Sequence, residues 1–407
     1  MDNNYILPIG YYTNNARKQI KQGEIAILIH LHYAEDVEYY FQYIRNIPDN
    51  IDIVFTVSET IAERKIIEQC QLLKREYRII RKENRGRDIS ALLVAAREIL
   101  LEYKYICFLH DKKSKSEKYR QDVEEWKRCL WENLLGSKEL IYNIIGMLEN
   151  NEKLGLLAPP AIVSENMPTA YVNVWYNNFD NAKNLAKEME LNCKLDEGVS
   201  PITIGTVFWA KTKSLAKLLY KNWRYEDFDE EPLRGDGTIS HAIERILSYV
   251  AEDAGYTTGI VMSDEYAIKR LENFEYLARM SSKYMGRVMG YRNIYQLNKY
   301  DKFQQFLMSR AGNKDKIYIY GAGDFGKRVL TMYRELNILP KAFLVSDNQE
   351  KTDKALGLSV YKLSSITLDD DSVIVIAVSE TKRKELYDNV KKIFPDFENI
   401  VVVDFDM

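Results

Sequence analysis

Three short stretches of this sequence gather charged and hydroxyl side chains at spacings that suit an anionic ligand. The first is Glu83-Asn84-Arg85-Gly86-Arg87-Asp88-Ile89-Ser90. Gly86 permits a tight backbone there, and two guanidinium groups offer planar forks that match phosphate oxygens. Asp88 serves equally well as the N-cap of a following helix. The second is His110-Asp111-Lys112-Lys113-Ser114, which ends an apolar run from Tyr105. Asp111 can give a divalent cation an oxygen ligand, and the two ammonium groups can neutralise a diphosphate. A solvated charge run is the plainer reading of the lysines. The third runs from Asp229 to Arg245, where Glu231 and a Gly235-Asp236-Gly237 turn precede His241, Glu244 and Arg245. His241 and Arg245 are four apart and share a helix face; a surface turn with a helix cap is the alternative.

Something must hold these stretches at one place, and the pattern around them supplies it. From Glu24, strand-like runs ("EIAILIHLHY", "NIDIVFTVS", "YRIIRKEN", "YKYICFLH") alternate with runs of helical spacing. Such alternation predicts a mainly parallel sheet with helices on both faces. The first two stretches then follow the third and fourth strands. In open α/β sheets the carboxyl ends of the strands are where ligands bind. "PITIGTVFWA" predicts a further strand, with Gly205 and Thr206 leading into Phe208 and Trp209. "DGTISHAIERILSYVAEDAGY" predicts a helix ending at Gly255, and residues 166–199 read as an insertion or lid.

Composition sets the outer bounds. The chain has 407 residues, 46% hydrophobic and 29% charged, which is the make-up of a globular protein with more than one domain. A net charge of −3 provides no global attraction to nucleic acid or anionic lipid, so any basic site is local and no nucleic-acid partner is expected. Cys70, Cys107, Cys129 and Cys193 are scattered without metal-ligand spacing, which suits a reducing cytoplasm. No leader-like segment opens the chain, and no apolar run approaches the roughly 18–20 residues of a membrane span. A cytoplasmic location is expected.

Taken in order, the motifs resemble a GT-A-type nucleotide-sugar glycosyltransferase. "NRGRD", "HDKKS", "GTVFWA" and "DGTISHAIER" are more specifically similar to the rhamnan synthesis protein F family, over about Glu24 to Tyr266. The resemblance implies inverting sugar transfer from a dTDP-rhamnose-like donor to a lipid-linked or polysaccharide acceptor of the cell wall or surface. It implies a donor site at Asn84, Arg85, Gly86, Arg87, Asp88, His110, Asp111, Lys112, Lys113 and Ser114. Gly205, Thr206, Phe208, Trp209, His241, Glu244 and Arg245 fall on the acceptor side, the two aromatics as sugar-stacking rings or as core. Asp236 is the expected base, with Glu231 in reserve. Where metal-using relatives carry a second carboxylate this chain has Lys113, leaving Asp111 as the one acid for Mg²⁺ or Mn²⁺.

A second α/β unit is expected from Lys316 onward. "KIYIYGAGDFG" places Gly321, Gly323 and Gly326 after a strand, and Asp347 lies 21 residues beyond the last glycine. That is a dinucleotide-type fingerprint and resembles the Rossmann-like units attached to several sugar-modifying enzymes. The expected division is therefore a transferase domain over 1–265, a helical linker over 266–313 and a small Rossmann-like nucleotide-binding domain over 314–407. Between Tyr276 and Arg310 seven basic residues (Arg279, Lys283, Arg287, Arg292, Lys299, Lys302, Arg310) stand against Asp301, with Met and aromatic residues among them. This suits either a packed linker or contact with an anionic membrane face. An NAD-dependent sugar enzyme and a non-catalytic assembly scaffold are the competing readings of the whole chain.

Overall fold

A computed structural model describes residues 3–114, 117–162, 173–288, 305–309, 316–350 and 353–404. The chain divides into two compact units, Met1–Asn273 and Phe274–Met407.

The first unit is built on eight strands: β1 (Asn3–Leu7), β2 (Ile25–His30), β3 (Asp52–Val57), β4 (Arg78–Arg81), β5 (Tyr105–His110), β6 (Leu154–Ala158), β7 (Phe208–Lys211) and β8 (Thr257–Ser263). Their order across the sheet is β1-β8-β6-β7-β5-β2-β3-β4. All pairs are parallel except those of β7, which runs antiparallel to both β5 and β6. The alternation of Cβ direction along a strand explains why β2 and β5 are buried throughout. Ile25, Ile27 and Ile29 face a layer containing α1 (Val37–Ile44), α2 (Thr60–Leu73), α5 (Arg120–Leu135) and α6 (Lys138–Asn150). Ala26 and Leu28 face the opposite layer, which includes α3 (Arg87–Ser90), α4 (Arg97–Leu100), α7 (Phe179–Glu188), α8 (Ala216–Tyr220) and α9 (Ile239–Asp253). With both faces covered, neither can be polar, and the polar residues collect at the strand ends.

Four details differ from expectation. The helix after "NRGRD" is broken: a π-turn over Ala91–Ala95, in which Ala96 N–H reaches back to Ala91 O, separates α3 from α4. The strand in "PITIGTVFWA" is only Phe208–Lys211, because Gly205 and Thr206 both take positive φ (99° and 54°), which no strand accommodates. Strands β1 and β8 are additions to the expected set; they pair with each other, and among the described residues β1 has one neighbour only. Between 166 and 199, the described part from Asn173 includes a helical turn and α7.

The helix α10 (Asp264–Val288) runs from the first unit into the second. Arg292, Lys299, Lys302 and Arg310 of the basic segment lie outside the described residues. No described helix is long and apolar enough to cross a membrane.

The second unit carries a six-stranded sheet ordered β11-β12-β10-β9-β13-β14, comprising β9 (Lys316–Tyr320), β10 (Ala342–Val345), β11 (Lys354–Ala355), β12 (Leu358–Lys362), β13 (Ser372–Ile376) and β14 (Ile400–Val402). Only the β11–β12 pair is antiparallel. Helix α11 (Asp324–Glu335) follows the glycine turn and α12 (Glu380–Ile393) follows β13. A Cβ on Gly326 would lie 1.7 Å from Gly321 O. The turn and the helix therefore meet at a distance only glycine allows.

Candidate active site

The ends of β2 and β5 and the turn after β4 open on a cavity of about 490 Å³. His30, His32, Tyr33, Asn84, Arg87, Asp88, His110, Asp111, Lys112, Lys113, Glu231 and Pro232 line it. A smaller chamber of about 100 Å³ adjoins it, sharing Arg87, Asp88, His110 and Lys112 and adding Ile89, Thr206, Leu233, Ser240, His241 and Glu244. The four histidines of the chain all line one or the other.

The turn after β4 is held from several sides. Gly86 has φ +69°, and a Cβ there would lie 2.6 Å from the Phe228 ring. Arg87 also takes a left-handed φ of 46°, a conformation uncommon for a side chain of this kind and one that concentrates at functional sites. Its Nε donates to Glu231 Oε1 at 3.2 Å. Beneath the turn, the nearly buried Lys82 donates to the carbonyl of Glu83 at 2.6 Å and faces that of Arg85 at 3.4 Å. Burial pushes the Lys82 ammonium down to about 8.

At the end of β5, His110 Nδ1 lies 2.7 Å from Asp111 O and its Nε2 lies 2.6 Å from Gly205 O. Asp111 Oδ2 accepts backbone N–H groups of His32 and Tyr33 at 2.7 and 2.6 Å. Burial raises this carboxyl to about 6 despite those bonds. The Lys112 ammonium sits 3.8 Å from the Trp126 ring centroid, and burial lowers its pKa. Lys113 pairs with Glu35 at the surface. His30 is buried beside Thr56, and burial holds it neutral with a pKa of about 3.

Several expected site residues do other work. Arg85 does not line the cavity; its Nε donates to Phe228 O at 2.8 Å and its Nη2 to Glu226 O at 3.3 Å, which fastens the turn to the acidic segment. Ser114 is likewise absent from both linings. Phe208 and Trp209 are fully buried, and Trp209 Nε1 donates to Leu134 O. They belong to the core and cannot stack on a sugar. Arg245 is 4% exposed and donates to Val174 O, so it braces the loop before α7. Asp236 lies in neither lining. Its carboxylate accepts from Asn178 Nδ2 at 2.5 Å and Asn177 N at 3.2 Å, and Asn178 Oδ1 accepts Gly237 N–H. Burial pushes Asp236 up, but the bonds from Asn178, Asn177 and Gly237 outweigh it and hold the group below the ordinary carboxylate range. Asp88 is not the helix cap: Gly86 occupies the N-cap, with no side-chain cap bond.

Thr206, Glu244 and His241 do reach the smaller chamber. Glu244 accepts from Gly205 N at 3.0 Å and Thr206 Oγ1 at 3.1 Å and pairs with Arg245. His30, His32 and Tyr33 were not anticipated as site residues. The end of β2 in "LIHLHY" carried the signal, since β2 neighbours β5 in the sheet.

Metal fit can be judged from the donors. Asp111 Oδ2 already holds two backbone N–H groups, and among the described residues no group of three His, Cys, Asp or Glu is placed to hold an ion. The described residues do not form a protein-held Mg²⁺ or Mn²⁺ site.

Two comparisons bear on identity. The model of the family described as "Rhamnan synthesis protein F" matches residues 1–256. A protein described as "Uncharacterized protein WxcX" in two strains of Xanthomonas campestris pv. campestris is 26% identical over 243 residues. The match covers 58% of this chain and 33% of theirs, so the chain spans about a third of the length of these curated relatives.

Proposed function

Since this chain belongs to the rhamnan synthesis protein F family, with the part in polysaccharide synthesis which that implies, we propose that it is an inverting glycosyltransferase. In this reading it moves a sugar, rhamnose by preference, from a nucleoside-diphosphate donor to a growing surface glycan. The observation that carries the reading is the cavity at the ends of β2 and β5. It presents Arg87, Lys112 and Lys113 toward one space, together with carboxylates. Displacement at an anomeric carbon needs a stabilised leaving diphosphate and a base for the incoming hydroxyl. Arg87 and Lys112 take the diphosphate, and Lys113 joins them by exchanging its surface partner Glu35.

Of the two carboxylates put forward from sequence, Glu231 lines the cavity and Asp236 does not. The base role therefore moves to Glu231, whose Oε1 meets Arg87 and whose Oε2 accepts Leu233 N–H at 2.9 Å. Removal of the hydroxyl proton by Glu231 accompanies departure of the diphosphate into the Arg87–Lys112 side. Acceptors at a membrane surface would bring the basic segment after Tyr276 against anionic lipid, a weak and salt-sensitive contact.

The test is a donor screen measuring nucleoside diphosphate release from a panel of nucleotide sugars, with and without a rhamnose-containing acceptor. Release from dTDP-rhamnose above the buffer rate, lost in Arg87→Ala, supports the reading. No binding and no turnover of any nucleotide sugar would end it.

A further inference from the structure

Among the described residues, five carboxylates stand in or beside the two chambers, and four are already engaged. Asp111 holds two backbone N–H groups. Glu231 holds Arg87 and Leu233 N–H. Glu244 holds Gly205 N–H, the Thr206 hydroxyl and Arg245, and Asp236 holds the 177–178 turn. Asp88 differs. Its side chain is 17% exposed and lines both chambers. The nearest side-chain nitrogen to it is His110 Nε2 at 3.7 Å, and that nitrogen is directed at Gly205 O at 2.6 Å. Among the described residues, no hydrogen bond from another residue reaches the carboxylate within ordinary distance. A carboxylate in so enclosed a place wants donors, and hydroxyl groups of a ligand can supply them.

The smaller chamber is also chemically divided. Arg87, Lys112, Ser240, His241 and Glu244 give it a polar wall, while Ile89 and Leu233 form an apolar one. Both apolar side chains are nearly buried, at 1% and 7% exposure. At about 100 Å³, against 490 Å³ next door, the chamber has room for one ring at most. A nucleoside and its diphosphate need the larger space.

We propose that the smaller chamber is the subsite for the donor's sugar ring, with Asp88 accepting two ring hydroxyls and the Ile89–Leu233 wall meeting a 6-deoxy carbon. This rests on the reading of the chain as a nucleotide-sugar transferase. A vicinal diol matches the two oxygens of a carboxylate, as two O–H donors to one charged acceptor. A methyl group at C6, as in rhamnose, loses nothing against Leu233. A 6-hydroxyl there would be buried without a partner, a penalty that discriminates by roughly 10- to 100-fold.

The test is calorimetric binding of dTDP and dTDP-L-rhamnose to the full chain without acceptor. The wild-type protein should bind dTDP-L-rhamnose more tightly than dTDP. Asp88→Asn, which keeps the shape, should weaken dTDP-L-rhamnose by about 10- to 100-fold, the worth of charged hydroxyl acceptance, and leave dTDP unchanged. Leu233→Ser should narrow the preference for dTDP-L-rhamnose over dTDP-L-mannose, which differ only in the 6-hydroxyl; retained dTDP binding reports an intact fold. Equal loss of both ligands in Asp88→Asn would mean that Asp88 acts by positioning the cations that hold the diphosphate and would overturn the subsite, as would no loss of either. If the wild-type protein binds dTDP and the sugar adds nothing, the subsite falls while the donor reading stands. If it binds no nucleotide at all, the transferase reading fails and the subsite goes with it.

Discussion

The two units use related architecture and leave their strand ends in opposite states. At the ends of β2 and β5, charged groups face a cavity and are tied by ion pairs that an incoming anion can exchange, such as Arg87–Glu231 and Lys113–Glu35. At the ends of β9 and β10, the polar groups satisfy each other: Tyr320 with Ser346 at 2.7 Å, and Asp347 with both the N–H and the hydroxyl of Ser364. Asp347 is the acid that a ribose would need, and its Oδ1 is bonded inside its own unit. The glycine fingerprint describes how closely a turn and a helix approach.

The largest effect should come from the base. Glu231→Gln should lower sugar transfer by about 100-fold or more, as for a lost general base, with donor binding kept. Asp236→Asn should change transfer by only a few-fold, its cost appearing as a lower thermal midpoint because it holds the 177–178 turn. The reverse ranking in acceptor-saturated assays would return the base role to Asp236 and break the contrast between cavity and bracing residues.

Next is Arg87→Gly. A glycine suits the left-handed φ of 46° at no steric cost, so the turn should be as stable as before or more so. Diphosphate release should nevertheless fall by roughly 100-fold, the scale of one charge-stabilising contact. Unchanged turnover would mean that the leaving group is held elsewhere.

The second unit provides the opposite case. Gly326→Ala forces a Cβ to within 1.7 Å of Gly321 O, overpacking that costs about 1–3 kcal/mol and often more against backbone. Gly323→Ala meets nothing within 4 Å and should leave stability unchanged. Hydrogen exchange in β9 and β10 would report the first loss, and transfer should survive in Gly323→Ala. If Gly323→Ala abolishes transfer, the glycine turn handles a ligand after all, and the two units are not in opposite states.

The sequence was most readable where buried strands ended in charge. The strand–helix alternation and the cluster of Arg87, Asp88, His110, Asp111, Lys112 and Lys113 at one edge follow from periodicity and the parallel-sheet rule. What escaped was the partner of each group. Arg85 and Arg87 are two residues apart in one motif, yet one is bonded to Phe228 O and the other faces the cavity. That division depends on where residues 226–231 return, some 140 positions later. Trp209 had an equal claim to core and to ligand until the antiparallel pairing of β7 between β5 and β6 buried it. His30 and His32 are hidden from the sequence because they lie at the end of β2 and just beyond it, and the neighbour of β2 in the sheet, β5, is far away in sequence.

A pH-dependent effect concerns Asp111 and sharpens the contrast from the side of stability. A ligand-facing edge retains groups that do not favour folding, and Asp111 is one of them, only 6% exposed. Burial raises its pKa from 3.8 to about 6, in spite of the N–H bonds from Tyr33 and His32 and the nearby His110, with Asp36 adding to the rise. Because the folded value is the higher one, the folded form holds the proton more tightly. The carboxyl's contribution to stability is fully present below about pH 4, is lost as pH rises through 6, and is absent above it. The linked difference is at most about 3 kcal/mol. Asn at this position can accept the same two N–H bonds without a charge. Asp111→Asn should therefore match the wild-type protein near pH 4 and exceed it in thermal midpoint by pH 7.5. A variant less stable than wild type at pH 7.5 would show that the ionised carboxylate is favourably neutralised in the fold, and the edge would then be no less self-satisfied than that of the second unit.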